Sequence, residues 1–133
     1  MASSVARYFT PAEANALLSA VVDQLGQVSE HVRRARAIAS SAEPGEESAA
    51  RSRLGEIQRL VERLLDGLQA EGVHVKGVDP ALLDFPALRQ GQEVYLCWRE
   101  GEEQVDHWHP LHTGYAGRQP VDLADLGIWE WYN

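Results

Sequence analysis

Cysteine occurs once in this 133-residue chain, at Cys97, which excludes an internal disulfide and fits a reducing compartment. Long hydrophobic runs are missing: nothing approaches the ~20 apolar residues that span a bilayer, and Met1 to Phe9 has neither the basic start nor the apolar core of a secretory signal. These absences lead us to expect a cytoplasmic protein with no membrane partner. Basic residues are also scarce. Twelve Lys and Arg stand against twenty Asp and Glu, a net charge of -8, and a field of that sign repels phosphate backbones and anionic lipid. No Ser, His and acid set has the spacing of a nucleophilic triad, and no Gly-rich phosphate loop links a strand to a helix.

What remains is ordinary globular material, 44% hydrophobic and 24% charged, enough for one core and a single domain over residues 1–133. The first half reads as two helices. Thr10-Pro11-Ala12-Glu13 is a capping box with proline at the first helical position, opening a helix over 11–41. Ala14, Leu18, Val21, Leu25, Val28, Val32, Ala35 and Ala39 alternate steps of four and three, the seam of a helix packed along one face. Pro44-Gly45 breaks the pattern. It resumes over 46–71 at Ala50, Leu54, Ile57, Val61, Leu64 and Leu68, and Gly72 stands where a helix C-terminus usually has glycine. A short connection makes the two helices antiparallel neighbours, a coiled-coil-like hairpin. At its base Leu17, Val22, Leu60 and Leu65 widen the apolar face beyond a two-helix contact, so another layer must cover that end.

Residues 73–133 supply the cover. The fold class is α+β: the hairpin followed by a small, mostly antiparallel β module packed on its base, closing in an aromatic tail, Ile128-Trp129-Glu130-Trp131-Tyr132. Val73 to Lys76 alternates like a strand, Asp79-Pro80 marks a turn, and Asp84-Phe85-Pro86 reads as an extended corner. Glu93 to Arg99 and Glu102 to His109 read as a hairpin around Glu100-Gly101. A two-residue loop sets Leu96 against Val105, a four-residue loop sets Trp98 against Val105, and both registers satisfy the pattern. Gly114, Gly117 and Pro120 mark a looped return.

The module also carries the chemistry. Cys97 and the run His107-Trp108-His109-Pro110-Leu111-His112 offer the thiolate and imidazole ligands that zinc and related transition metals favour, and His107 and His109 share one side of a strand. Each has a plainer reading: a lone cysteine in an alternating strand is a small buried hydrophobe, and histidines on a sheet surface serve as polar cover. Gly114 to Arg118 could hold an anion, and Arg33, Arg34, Arg36, Arg51 and Arg53 form a collar near the hairpin tip beside Glu43, Glu46 and Glu47. With those acids adjacent the collar reads as a solvated face, and nucleic acid as an unfavoured partner.

At Tyr8-Phe9-Thr10-Pro11-Ala12-Glu13-Ala14, Asp84-Phe85-Pro86, Leu96-Cys97-Trp98, Gly101-Glu102, Trp108-His109 and Gly114 to Pro120 the chain resembles an uncharacterised prokaryotic family, domain of unknown function 2203. The resemblance covers most of the chain and brings no activity. It implies that Lys76, Asp84, Cys97, Trp98, Glu102, Trp108, His109 and Arg118 are the matching residues able to converge, either as a ligand pocket or simply as an internally hydrogen-bonded β module. It also implies that of the three neighbouring histidines only His109 matches, the positions of His107 and His112 commonly being other residues.

Three functions of different class follow, the third of them nucleic-acid binding through the hairpin-tip arginines. The first is a non-enzymatic binding or scaffold protein whose hairpin seam supports a homo-oligomer or a protein partner. The second is a metal- or small-ligand-binding protein, or a small metal-dependent enzyme, with His109 and Cys97 as ligands, Glu102 orienting water or substrate and Asp84 as base.

Overall fold

The computed structural model describes residues 7–121 and 128–130. Helix α1 spans Pro11–Ser41 and α2 spans Glu47–Ala70, with Glu46 and Glu71 as the caps of the second. The capping box is complete: Thr10 Oγ1 accepts the Glu13 N–H at 3.1 Å, and Glu13 Oε1 accepts the Thr10 N–H at 2.9 Å. The end of α2 is as specific. Val73 N–H donates to the Leu68 carbonyl and Gly72 N–H to that of Gln69, a Schellman closure that needs the positive φ of Gly72 (94°). Leu68 and Val73, the apolar pair that accompanies this motif, are both 1% exposed. Val73 therefore terminates the helix, and the first strand begins one residue later than its sequence pattern suggests.

The strands are β1 (His74–Val78), β2 (Ala81–Arg89), β3 (Gln92–Arg99), β4 (His107–Pro110), β5 (Gln119–Pro120) and β6 (Trp129–Glu130). They form one antiparallel sheet in the order β1-β2-β3-β4-β5, with β6 also paired to β2. β1 and β6 share one edge of β2, at Ala81–Asp84 and at Leu88–Arg89. Between them Phe9 N–H donates to the Pro86 carbonyl at 2.7 Å. Pro86 thus faces that edge rather than β3, so its missing N–H costs no bond in the long β2–β3 ladder. This is why Asp84-Phe85-Pro86 lies in mid-strand and makes no corner.

The expected β3–β4 hairpin exists, but in neither expected register. Tyr95 pairs with His109, Leu96 with Trp108 and Cys97 with His107, so the second strand starts at His107 and a longer loop precedes it. Two interactions hold that loop out of the ladder. Glu102 folds back to accept the Arg99 N–H at 2.8 Å. Asn15 on α1 takes both backbone groups of Val105, accepting its N–H at 2.6 Å and donating to its carbonyl at 3.0 Å.

Alternation along the strands sorts the sheet into two faces. Ala81, Leu83, Phe85, Ala87, Val94, Leu96, Trp98 and Trp108 join Phe9, Ala14, Leu18, Val21, Leu25 and Leu68 in one core against the base of the hairpin. Away from the base the seam is less covered: Val32, Ala35 and Leu54 are half-buried and Ala39 is exposed. Trp129 belongs to the core, edge-on to Trp108 at 6.3 Å. Trp131 and Tyr132 of the tail lie outside the described residues. No helix of the described residues is long and apolar enough to cross a membrane.

Asn15→Ala removes both partners of the buried Val105 backbone and should cost about 2 kcal/mol. Urea denaturation at neutral pH checks this, and an unchanged midpoint would mean that water replaces Asn15 freely.

Candidate functional site

The opposite face of the sheet carries the alternate residues of the same strands. Asp84 on β2 lies across from Cys97 on β3, and Tyr95 on β3 lies across from His109 on β4. His109 is therefore two strands from Asp84, and its ring reaches over the middle strand, where cysteine is small enough to leave room. His109 Nε2 stands 3.1 Å from Asp84 Oδ1. One ligand atom from each of Asp84, Cys97 and His109 lies within 4.8 Å of the others, and the three side chains are buried.

The other ring nitrogen fixes the tautomer. His109 Nδ1 lies 2.8 Å from the Pro110 carbonyl, an acceptor only, so Nδ1 carries a proton and donates it there. The lone pair of a neutral ring is then on Nε2, facing a carboxylate oxygen. Two lone pairs at that distance require a cation between them, either a proton or a metal ion. Burial first, and then the charge of Asp84, push the Cys97 thiol up to about 12 against the opposing pull of Arg118, so with no metal the thiol is protonated at neutral pH.

Tyr95 forms one wall, with its ring centroid 5.3 Å from that of His74 and 5.5 Å from that of His109. Burial first, then the charges of Asp84 and Glu93, raise its phenol above the usual range. Lys76, the extra residue of a bulge in β1, holds its ammonium 5.7 Å from the centre of the same ring. Gly77 completes the bulge where a Cβ would come within 3.1 Å of the Pro80 carbonyl. Asp84, Cys97, His109, Tyr95 and Lys76 line a cavity of about 300 Å³ whose mouth is formed by Leu111 and Tyr115.

The remaining candidates separate from this group. Trp98 and Trp108 have the opposite strand parity and are in the core. Glu102 and Arg118 form their own pair at 2.7 Å, and the guanidinium also donates to the Cys97 carbonyl at 3.4 Å and stacks 4.7 Å from the Tyr115 ring centre. Burial opposes ionisation of Glu102, but the Arg118 guanidinium, the Arg99 N–H and His107 together hold its carboxyl below the usual range. His107 shares the face of His109, yet its Nδ1 turns to Asp106 at 2.7 Å, and His112 is exposed on the following turn. The two histidines named with His109 as metal ligands are thus not brought to the triad. In the arginine collar, Arg33 pairs with Glu30 at 2.8 Å and Arg36 with Asp79 at 3.7 Å, whereas Glu46 and Glu47 accept backbone N–H groups of the helix connection.

Reasoning from sequence had Asp84 as a ligand or base but not as the partner of His109. The available signal was an acid at the centre of the otherwise apolar run Ala81 to Leu88. Gly114 and Tyr115 of the cavity belong to the Gly114 to Arg118 segment read as able to hold an anion, whereas Leu82 and Leu111 carried no comparable signal.

Because Glu102 titrates below its unfolded value of 4.5, the stability it contributes is full above that pH and is lost as pH falls through the folded value. The stability gap between wild type and Glu102→Gln should be constant from neutrality down to about pH 5 and then narrow in acid. Denaturation curves across that range test it, and a gap independent of pH would remove the ionic role.

Compared with known proteins, the chain matches the family model described as Uncharacterized conserved protein (DUF2203) over residues 7–121. No curated protein and no solved structure matches it. The matched span contains both helices, β1 to β5 and every member of the Asp84, Cys97 and His109 group.

Proposed function

The chain belongs to the DUF2203 family, a premise that carries no activity, and from its buried polar cluster we propose that it is a binding protein whose sheet holds one zinc-class transition-metal ion. The observation that carries this reading is the convergence of a carboxylate, a thiol and an imidazole within 4.8 Å of one another in a buried setting. Thiolate with imidazole selects zinc and its neighbours over magnesium or calcium. The bond from His109 Nδ1–H to the Pro110 carbonyl is the outer-shell support that metal-ligating histidines usually have. Three protein donors leave a coordination position for a further ligand, on a cavity that the same residues line.

Metal binding here must displace the Cys97 proton, so affinity rises with pH. Protein prepared without a histidine tag should take up one equivalent of zinc and acidify a weakly buffered solution. At a hundredfold excess of free zinc over Kd, binding adds about 2.7 kcal/mol, or roughly 10 °C in Tm. Cys97→Ser and His109→Ala should each abolish that rise. Elemental analysis without stoichiometric metal, together with melting unaffected by zinc or chelator, would sink the reading.

The half-buried apolar residues Val32, Ile38, Leu54, Leu60 and Leu65 of the hairpin support a second, compatible role, contact of the hairpin with another copy or a partner helix. Sedimentation velocity at micromolar concentration should then show a dimer that Leu54→Glu dissociates. A wild-type monomer at every concentration would end that role.

A further inference from the structure

Resting on the metal reading, we infer that the cavity beside the triad receives a small monocarboxylate. Its oxygens would take the remaining metal position and face the Lys76 ammonium, with its hydrocarbon part against the apolar mouth. Charge argues for an anion. The Asp84 carboxylate and the Cys97 thiolate together cancel a divalent ion, and His109 binds as the neutral ring, so the loaded triad has no net charge. Among the residues that line the cavity Lys76 is the sole lysine or arginine, which leaves the space one positive charge in excess. A single negative charge balances it, whereas a phosphate dianion would not.

Size and lining narrow the class further. A volume of about 300 Å³ is at the lower end of small-molecule sites, fitting a ligand of a few heavy atoms beyond its carboxylate. Leu82 lines one side, and Leu111 and Tyr115 at the mouth are 47% and 41% exposed, the two large apolar side chains most open to solvent among the described residues of the β module. Covering them favours an acid with an apolar body over a hydroxylated one. The Tyr95 ring, held between His74 and His109 with Lys76 over it, gives the ammonium a defined position instead of a free arc.

Cobalt(II)-loaded full-length protein and butyrate provide the test. A thiolate-to-cobalt charge-transfer band reports that the triad is filled, and the visible cobalt bands report a change in the remaining position. Butyrate should shift the visible bands saturably while the charge-transfer band persists. Lys76→Gln, a change at an exposed side chain, should weaken butyrate binding roughly three- to tenfold and keep the cobalt. A persistent charge-transfer band with visible bands that ignore butyrate overturns the carboxylate assignment alone, as does equal butyrate affinity in Lys76→Gln. If the charge-transfer band never forms, the metal reading has failed and this inference fails with it.

Discussion

The contact between His109 and Asp84, made across the strand that carries Cys97, is the constraint on which the polar face of the sheet depends. It exists because three strands place an acid, a thiol and an imidazole at adjacent register positions on one face. The strands are held in that register by their other face. Leu83, Phe85, Leu96 and Trp108 cannot leave the core without a cost of roughly 1.5–3 kcal/mol each, and a slip of one residue would exchange the two faces entirely. The helical hairpin therefore fixes the geometry of the site without supplying a residue to it.

That division of labour explains how a buried charged cluster persists in a small domain. Ionisable groups out of water are costly unless each has a partner, and here each has one: the Pro110 carbonyl at Nδ1 of His109, Asp84 at Nε2, and for the Cys97 thiol the carboxylate of Asp84. Next to it the Glu102–Arg118 pair performs a different task. It closes the β3–β4 loop onto the Arg99 N–H and ties the turn bearing Tyr115 to the Cys97 carbonyl, so the wall of the cavity is hydrogen-bonded to the strand that carries the triad's thiol.

Much of the helical layer was legible because its signals are local. Thr10 to Glu13, the four-three seam and Gly72 each act within one or two turns, and the helix limits fall within a residue of the expected 11–41 and 46–71. The sheet was legible only where pairing is local. Glu93 to Arg99 stood out, one residue short of β3, but the β3–β4 register escaped because Asn15, 90 residues away, takes Val105 out of the ladder. Likewise the nine-residue β2 was hidden by Pro86, whose tolerance rests on Phe9 rather than on anything nearby in sequence.

The site followed the same rule. His109 and Cys97 could be singled out by residue type, and the resemblance of Trp108-His109 to the family pattern favoured His109 over His107 and His112. Choosing Asp84 rather than Glu102 as their companion required strand parity across β2, which no local pattern supplies. Glu102 sits in a loop, free to seek Arg118, whereas Asp84 is pinned by the ladder between Leu83 and Phe85, both fully buried on the other face. A carboxylate so pinned stays beside the thiol and the imidazole, which is why the three ligand atoms converge within 4.8 Å of one another.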